Sequence, residues 1–193
     1  MKFDPDIHHR RSIRLKNYDY SSNGMYFVTI CTQDRTMLFG EVVGADLVSA
    51  LPAKTSAQPA NVPIQMQLND AGKMVKSLFL QTSASFSNAI LDKFIIMPNH
   101  VHFILGISDT LRDRADTRSA PTVTLDSFVR IFKSKTTVEY IRGVESGLYE
   151  PFNRKIWQRN YFERIIRDKA EYQHIHQYID ENPARWNEDE YFG

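Results

Sequence analysis

Ala89-Ile90-Leu91-Asp92-Lys93-Phe94-Ile95-Ile96-Met97-Pro98-Asn99-His100-Val101-His102-Phe103-Ile104-Leu105-Gly106-Ile107 decides the fold. Two apolar runs rich in β-branched and aromatic residues flank a very short link, Pro98-Asn99. Runs of this kind read as strands, and so short a link joins them as an antiparallel hairpin. Pro98 marks the boundary between them. Residues i and i+2 of a strand share a face. The second strand, 101–107 with its histidines at the head, therefore sends Val101, Phe103 and Leu105 to one side. His100, His102 and Ile104 go to the other. Two readings of the paired imidazoles are open. They are ordinary histidines at a strand end, or they are half of a metal site, since neutral imidazole ligates divalent ions.

Upstream, Met25 to Thr32 (MYFVTICT) reads as a first strand. Asn69 caps a helix whose Ala71, Met74, Val75, Leu78 and Thr82 recur at helical spacing. Downstream, Thr124 caps a second helix with Leu125, Phe128, Val129, Phe132 and Thr136 on one face. Ile156 to Ile166 reads as a fourth strand. Asp168-Lys169-Ala170-Glu171 has the pattern of a capping box. It opens a last helix that stops near Asn182-Pro183, because a residue before proline resists the α region. The order is strand, helix, strand, strand, helix, strand, helix. That predicts an α+β, ferredoxin-like (RRM-like) βαββαβ sheet with an added C-terminal helix. The two core helices cover one sheet face; the other is left for the last helix or a ligand. Residues 1–193 read as one domain. Two stretches, 44–63 and 108–123, read as loop insertions, the first rich in Ala, Ser and Pro and poor in core residues.

One cysteine, Cys31, rules out an internal disulfide framework and fits a reducing cytosol. The basic start of the chain is followed by no apolar signal region, and no apolar run has the length of a membrane span. A cytoplasmic, nucleoid-associated protein is expected. The formal net charge of +1 hides a segregation of charge. Residues 130–167 hold nine Lys/Arg against four Asp/Glu, whereas 168–193 hold two against seven. A basic stretch before an acidic end fits a polyanion surface, or simply two solvated faces. The candidate polyanion-binding cations are Arg10, Arg11, Arg14, Arg130, Lys133, Lys135 and Arg159.

On the last helix, taken at about 100° per residue, Asn182 lies about 40° from Tyr178 and one turn after it. Ile175 and Ile179 lie at about 60° and 100°, and Tyr172 at about 120°, inside the apolar stripe. If that stripe packs on the open sheet face, Tyr178 and Asn182 point at His100 and His102. Two nitrogens and an amide oxygen then surround a place for a divalent metal, with a phenol beside it. A metal so placed polarises a phosphoryl oxygen. A phenol with a pKa of roughly 10 becomes a nucleophile only once activated. The plainer reading leaves Tyr178 as packing and Asn182 as a helix stop.

The ordered set Arg10-Arg11-Ser12-Ile13-Arg14-Leu15, Tyr26-Phe27-Val28-Thr29-Ile30-Cys31-Thr32, Met97-Pro98-Asn99-His100-Val101-His102, Phe132-Lys133-Ser134, Trp157-Gln158-Arg159-Asn160-Tyr161 and Tyr178-Ile179-x-x-Asn182-Pro183 spans nearly the whole chain. It resembles the single-tyrosine HUH transposases, in particular the REP-associated tyrosine transposases and their insertion-sequence relatives. The resemblance implies catalysis by Tyr178, which becomes joined to the 5′ phosphate of cleaved single-stranded DNA. It implies Mg2+ or Mn2+ held by His100, His102 and Asn182. Its substrates are single strands beside small hairpins, often palindromic repeats, and the working unit is a monomer or a homodimer. A competing reading is a non-catalytic module that stacks single-stranded bases on Tyr26, Phe94 and Tyr161.

Overall fold

The computed structural model describes residues 23–44, 63–108 and 121–192. Its elements are β1 (Gly24–Cys31), β2 (Gly40–Val43), β3 (Gln65–Leu68), α1 (Asp70–Ala84), β4 (Ala89–Ile96) and β5 (His100–Ile107). They are followed by α2 (Leu125–Glu145), β6 (Phe162–Ile166) and α3 (Lys169–Glu181). The main sheet has the order β4-β5-β1-β6, and every neighbouring pair in it is antiparallel. With the small β2-β3 pair set aside, the succession is the expected βαββαβ.

Strand parity divides the molecule into two layers. Val28 and Ile30 of β1, with Val101, Phe103 and Leu105 of β5, face α1 and α2 in the main core. Phe79 of α1 is fully buried at the centre of this layer. Its ring lies 4.9 Å from those of Phe103 and Phe132, 5.3 Å from Phe94 and 5.8 Å from Phe128. On the other face, Phe27 and Ile104 pack against Ile175 and Ile179 of α3. The last helix therefore covers the face left open by the core helices.

The caps form where side-chain chemistry places them. Asn69 Oδ1 accepts the Gly72 N–H at 2.8 Å, and Thr124 makes a reciprocal capping box with Ser127. Asp168 accepts the Glu171 N–H at 2.8 Å. The carboxylate of Glu171, however, reaches the Arg167 N–H at 2.9 Å, one residue earlier than in a capping box.

The structure departs from the sequence reading in four places. First, β2 and β3 pair as an antiparallel hairpin around the 44–63 insertion, of which residues 45–62 lie outside the described part. Second, the expected strand 156–166 is regular only from Phe162. Before it, Gln158 N–H bonds Cys31 O at 3.0 Å, and the buried Trp157 indole donates to Thr136 Oγ1 at 2.8 Å. Trp157 pairs with Thr32 as an isolated antiparallel bridge, with its ring in a pocket between α2 and the end of β1, and the regular strand is interrupted between this bridge and Phe162. Third, the 108–123 insertion ends in packed chain: Val123 is buried, and its N–H and C=O both bond the Asn88 amide. Residues 109–120 lie outside the described part. Fourth, β4 shifts register between Leu91 and Lys93. This irregularity keeps both Leu91 and Phe94 against the helix layer.

Candidate active site

The Pro98-Asn99 turn is the anchor of the site. Leu38 and Phe39 N–H groups both donate to Pro98 O, and Thr32 N–H donates to Asn99 O at 2.8 Å. The Asn99 amide nitrogen donates to Arg35 O and Tyr191 O, at 3.1 and 2.8 Å. Two carbonyl acceptors fix which end of the amide is nitrogen, so Oδ1 faces His100 Nδ1, at 2.9 Å. An amide oxygen only accepts. His100 Nδ1 must therefore carry the proton, which leaves Nε2 as a lone pair. That atom is buried and has no hydrogen-bond partner.

His102 stands two residues further along β5. Its Nδ1 lies 2.8 Å from Thr29 Oγ1, directly across the β1-β5 register. A hydroxyl both donates and accepts, so this contact orients the ring without fixing its tautomer. Nε2 lies 3.3 Å from the Tyr178 hydroxyl. The two imidazole centroids are 4.3 Å apart. Burial pushes His100 down to about 3, with the Asn182 amide opposing and the Arg35 charge adding to it. Burial, followed by the neighbouring His100, holds His102 well below the ordinary range. Both rings are neutral at physiological pH, the form a metal binds.

Helix α3 supplies the other two groups. Tyr178 packs edge-on against Phe27, with ring centroids 5.9 Å apart. Burial raises its phenol to about 12, and the carboxylates of Asp189 and Glu190 add to the shift. Asn182 is the C-cap, still in αR conformation, and is buried. Its Nδ2 donates to Asp189 Oδ2 at 2.9 Å, so its Oδ1 is turned the other way, buried and without a partner. Two buried acceptor atoms without donors, His100 Nε2 and Asn182 Oδ1, are costly unless something positive completes them. A divalent cation fits that donor set: imidazole nitrogens, an amide oxygen and open positions.

The structure thus brings His100, His102, Tyr178 and Asn182 together within one chain. The cations are dispersed. Arg10, Arg11 and Arg14 lie outside the described residues. Arg130 and Lys135 are exposed on α2, which belongs to the layer opposite the histidines. Arg159 is exposed in the turn tied to the end of β1. Lys133 is turned inward: its ammonium donates to the carbonyls of Gln158, Arg159 and Asn160 and lies over the Tyr161 ring. Its role is to hold the turn that presents Arg159.

The stacking module fares differently, because all three of its aromatics face the wrong way for it. Tyr26 is fully buried in the helix-side core, and Phe94 packs into that same layer, as does Tyr161. None of these rings lies on the face that carries the histidines. Tyr172 packs beside Ile175 and Ile179 as expected, with its hydroxyl on Asp92 Oδ2 at 2.7 Å.

Sequence reasoning missed the supporting residues. Asn99 and Thr29 stand inside quoted motifs, and strand parity alone places Thr29 opposite the imidazoles. Asp189 and Tyr191 gave no local signal. They reach the site because the chain turns back after α3 through Trp186–Glu188. The Tyr191 ring then lies 4.9 Å from that of His100.

The main sheet thus carries the helix of Tyr178 and Asn182 across the face that holds His100 and His102. The fold is similar to that of a REP-associated tyrosine transposase solved with a REP hairpin, at a TM-score of 0.52 and 15% identity, covering 90% of this chain and 74% of that one. An uncharacterised protein of Haemophilus influenzae is 35% identical over 201 residues, covering 99% of this chain and 97% of its own length. Residues 65–182, more than half of the chain, match the family model for IS200-like transposases. The chain belongs to that family. Among the described residues, no helix is long and apolar enough to cross a membrane.

Proposed function

We propose that this transposase cuts and rejoins single-stranded DNA beside hairpins, with Tyr178 as nucleophile and a divalent metal at His100, His102 and Asn182. The whole of residues 1–193 acts as one catalytic domain carrying the two insertions. The observation that supports this reading best is the pair of orphaned buried acceptors, His100 Nε2 and Asn182 Oδ1, on the side where the Tyr178 hydroxyl lies. A bound Mg2+ or Mn2+ would polarise the phosphoryl oxygen and offset charge developing there.

The residues do the rest. Tyr178 Oη attacks the phosphorus, its proton leaves, and the P–O3′ bond breaks. The products are a 5′-phosphotyrosine and a free 3′ hydroxyl that takes up a proton. The new phosphodiester keeps the energy of the broken bond, so a second 3′ hydroxyl can attack it and release the tyrosine. That exchange suits strand transfer rather than net hydrolysis. Asn99 holds His100 in the tautomer that leaves Nε2 free, and Thr29 orients the His102 ring. Phe27 holds the phenol ring. Because Tyr178 and both histidines meet in one chain, a monomer contains the full set.

The test is incubation with end-labelled hairpin DNA bearing single-stranded flanks, with Mg2+ or Mn2+. A covalent protein–DNA adduct on a denaturing gel is expected. His100→Ala and His102→Ala should abolish the adduct while keeping most DNA affinity, because phosphate contacts carry binding. Adduct formation unchanged in either variant would refute the site.

A further inference from the structure

We propose that Asp189 is a metal ligand, so that the segment after α3 completes the ion's coordination with a carboxylate. The inference rests on the metal reading above and adds to it a residue outside the tyrosine helix and the histidine strand.

Geometry comes first. One carboxylate oxygen of Asp189 and one nitrogen from each of His100 and His102 all lie within 4.8 Å of one another. No other group of three histidine, cysteine or acidic side chains meets this condition among the described residues. The position is held from both sides. Before it, the buried Trp186 stacks toward His100, with ring centroids 5.9 Å apart. After it, Tyr191 O accepts from Asn99, and Arg35 donates to Glu190 O at 2.7 Å. Asp189 Oδ1 takes the Tyr191 N–H at 2.7 Å, and Oδ2 takes the Asn182 amide at 2.9 Å. Among the described residues the carboxylate makes no ion pair within 4 Å. It therefore faces two neutral imidazoles with no ion pair of its own.

Charge supplies the second argument. Two neutral imidazoles and an amide bring no negative charge, whereas Mg2+ and Mn2+ favour anionic oxygen. Asp189 adds one such oxygen beside two imidazoles, the donor set of a two-histidine, one-carboxylate site. The same carboxylate also orients Asn182, since holding Nδ2 turns Oδ1 toward the imidazoles. A residue with only this orienting role would act through Asn182 alone, whereas a ligand would still matter with the Asn182 amide removed.

The experiment is a titration of the full-length chain, without DNA, with Mn2+ alone, reading free Mn2+ by its electron paramagnetic resonance signal. Wild type should bind one ion. Asp189→Asn should weaken binding tenfold or more, and should weaken it further in an Asn182→Ala background as well, where no Asn182 amide is left to orient. No further loss in that background would overturn the ligand role. Glu190→Gln removes one charge from the adjacent exposed residue and should change binding less than twofold. Hydrogen exchange in residues 185–192 should slow on adding Mn2+ in wild type and not in Asp189→Asn. Equal affinity of wild type and Asp189→Asn, or an equal loss in Glu190→Gln, would overturn the assignment. His100→Ala separates the two levels. If it abolishes binding while Asp189→Asn does not, only the Asp189 role falls. If wild type binds no Mn2+, the metal reading falls with it.

Discussion

Tyr178 combines two separable properties, a ring that packs and a hydroxyl that the proposed function makes the nucleophile. The ring is held edge-on by Phe27, and the hydroxyl makes a long 3.3 Å contact to His102 and lies beside the Asn182 amide. Removing the oxygen should cost about 1 kcal/mol or less of stability, the net worth of a typical hydrogen bond. Tyr178→Phe should therefore fold and bind hairpin DNA yet form no covalent adduct. Tyr172→Phe, which loses only the bond to Asp92, should keep the adduct. Peptide mapping decides between them: a nucleotide on Tyr172 or Tyr161 would refute Tyr178. The histidines have their own signature in metal-free protein. The unfolded chain binds a proton on each imidazole below about 6.5, whereas folded His100 stays neutral down to about 3. Between these values the unfolded state holds more protons, so stability must fall as pH is lowered from about 6.5 toward 3. His100→Gln should show a shallower fall over that window in urea titrations. An identical slope would mean that the imidazole is not buried neutral.

At the scale of elements, α1 and α2 are held to the sheet by aromatic packing centred on Phe79. Its ring touches rings from β4, β5 and α2 and is fully buried. Phe79→Ala should cost about 3–5 kcal/mol, because the rigid rings around it close poorly over a cavity. A thermal melt of the two proteins checks this, and a loss under about 1 kcal/mol would show that the layer repacks. Phe79 also marks where sequence reading stops. The amphipathic pattern of α1 was legible, but Leu78 was taken for the core face, and the structure buries Phe79 instead. Caps at Asn69, Thr124 and Asp168 were legible because capping is a local exchange of hydrogen bonds. The β4-β5 hairpin was legible because a short link leaves the chain no alternative. The β2-β3 pair was not, because a long insertion separates its strands and hides the pairing. The irregular path at 156–161 was not legible either, since Trp157 answers to a pocket built by Phe39, Phe132 and Thr136. For the site, parity and helical spacing brought out His100, His102, Tyr178 and Asn182. Asp189 needed the turn after α3, which no periodicity announces.

At the scale of the whole molecule, the sheet separates the candidate site from two exposed cations of the proposed DNA-binding set, Arg130 and Lys135. His100, His102 and Tyr178 lie between the sheet and α3, while Arg130 and Lys135 lie on α2 beyond the opposite face. Arg159 stands between these regions. Its turn is fastened to Cys31, which pairs with His100, and to Lys133 of α2. A bare single strand in the site can reach Arg159 without crossing the molecule. Contact with Arg130 and Lys135 needs a substrate that extends around the sheet edge, as a hairpin stem can. The two sets of cations should thus separate by substrate. Arg159→Gln should weaken binding of both a short single strand and a hairpin with a single-stranded flank. The pair Arg130→Gln and Lys135→Gln should leave the single strand unaffected. For the hairpin it should flatten the slope of log affinity against log salt by about 1.8, or 0.9 for each lost duplex phosphate contact. Fluorescence anisotropy across a salt series reads both quantities. If the pair weakens the short single strand as much as the hairpin, the α2 cations act as a general field rather than a stem contact. If it leaves the hairpin slope unchanged, the stem takes another path, and the positive face of α2 is solvated surface.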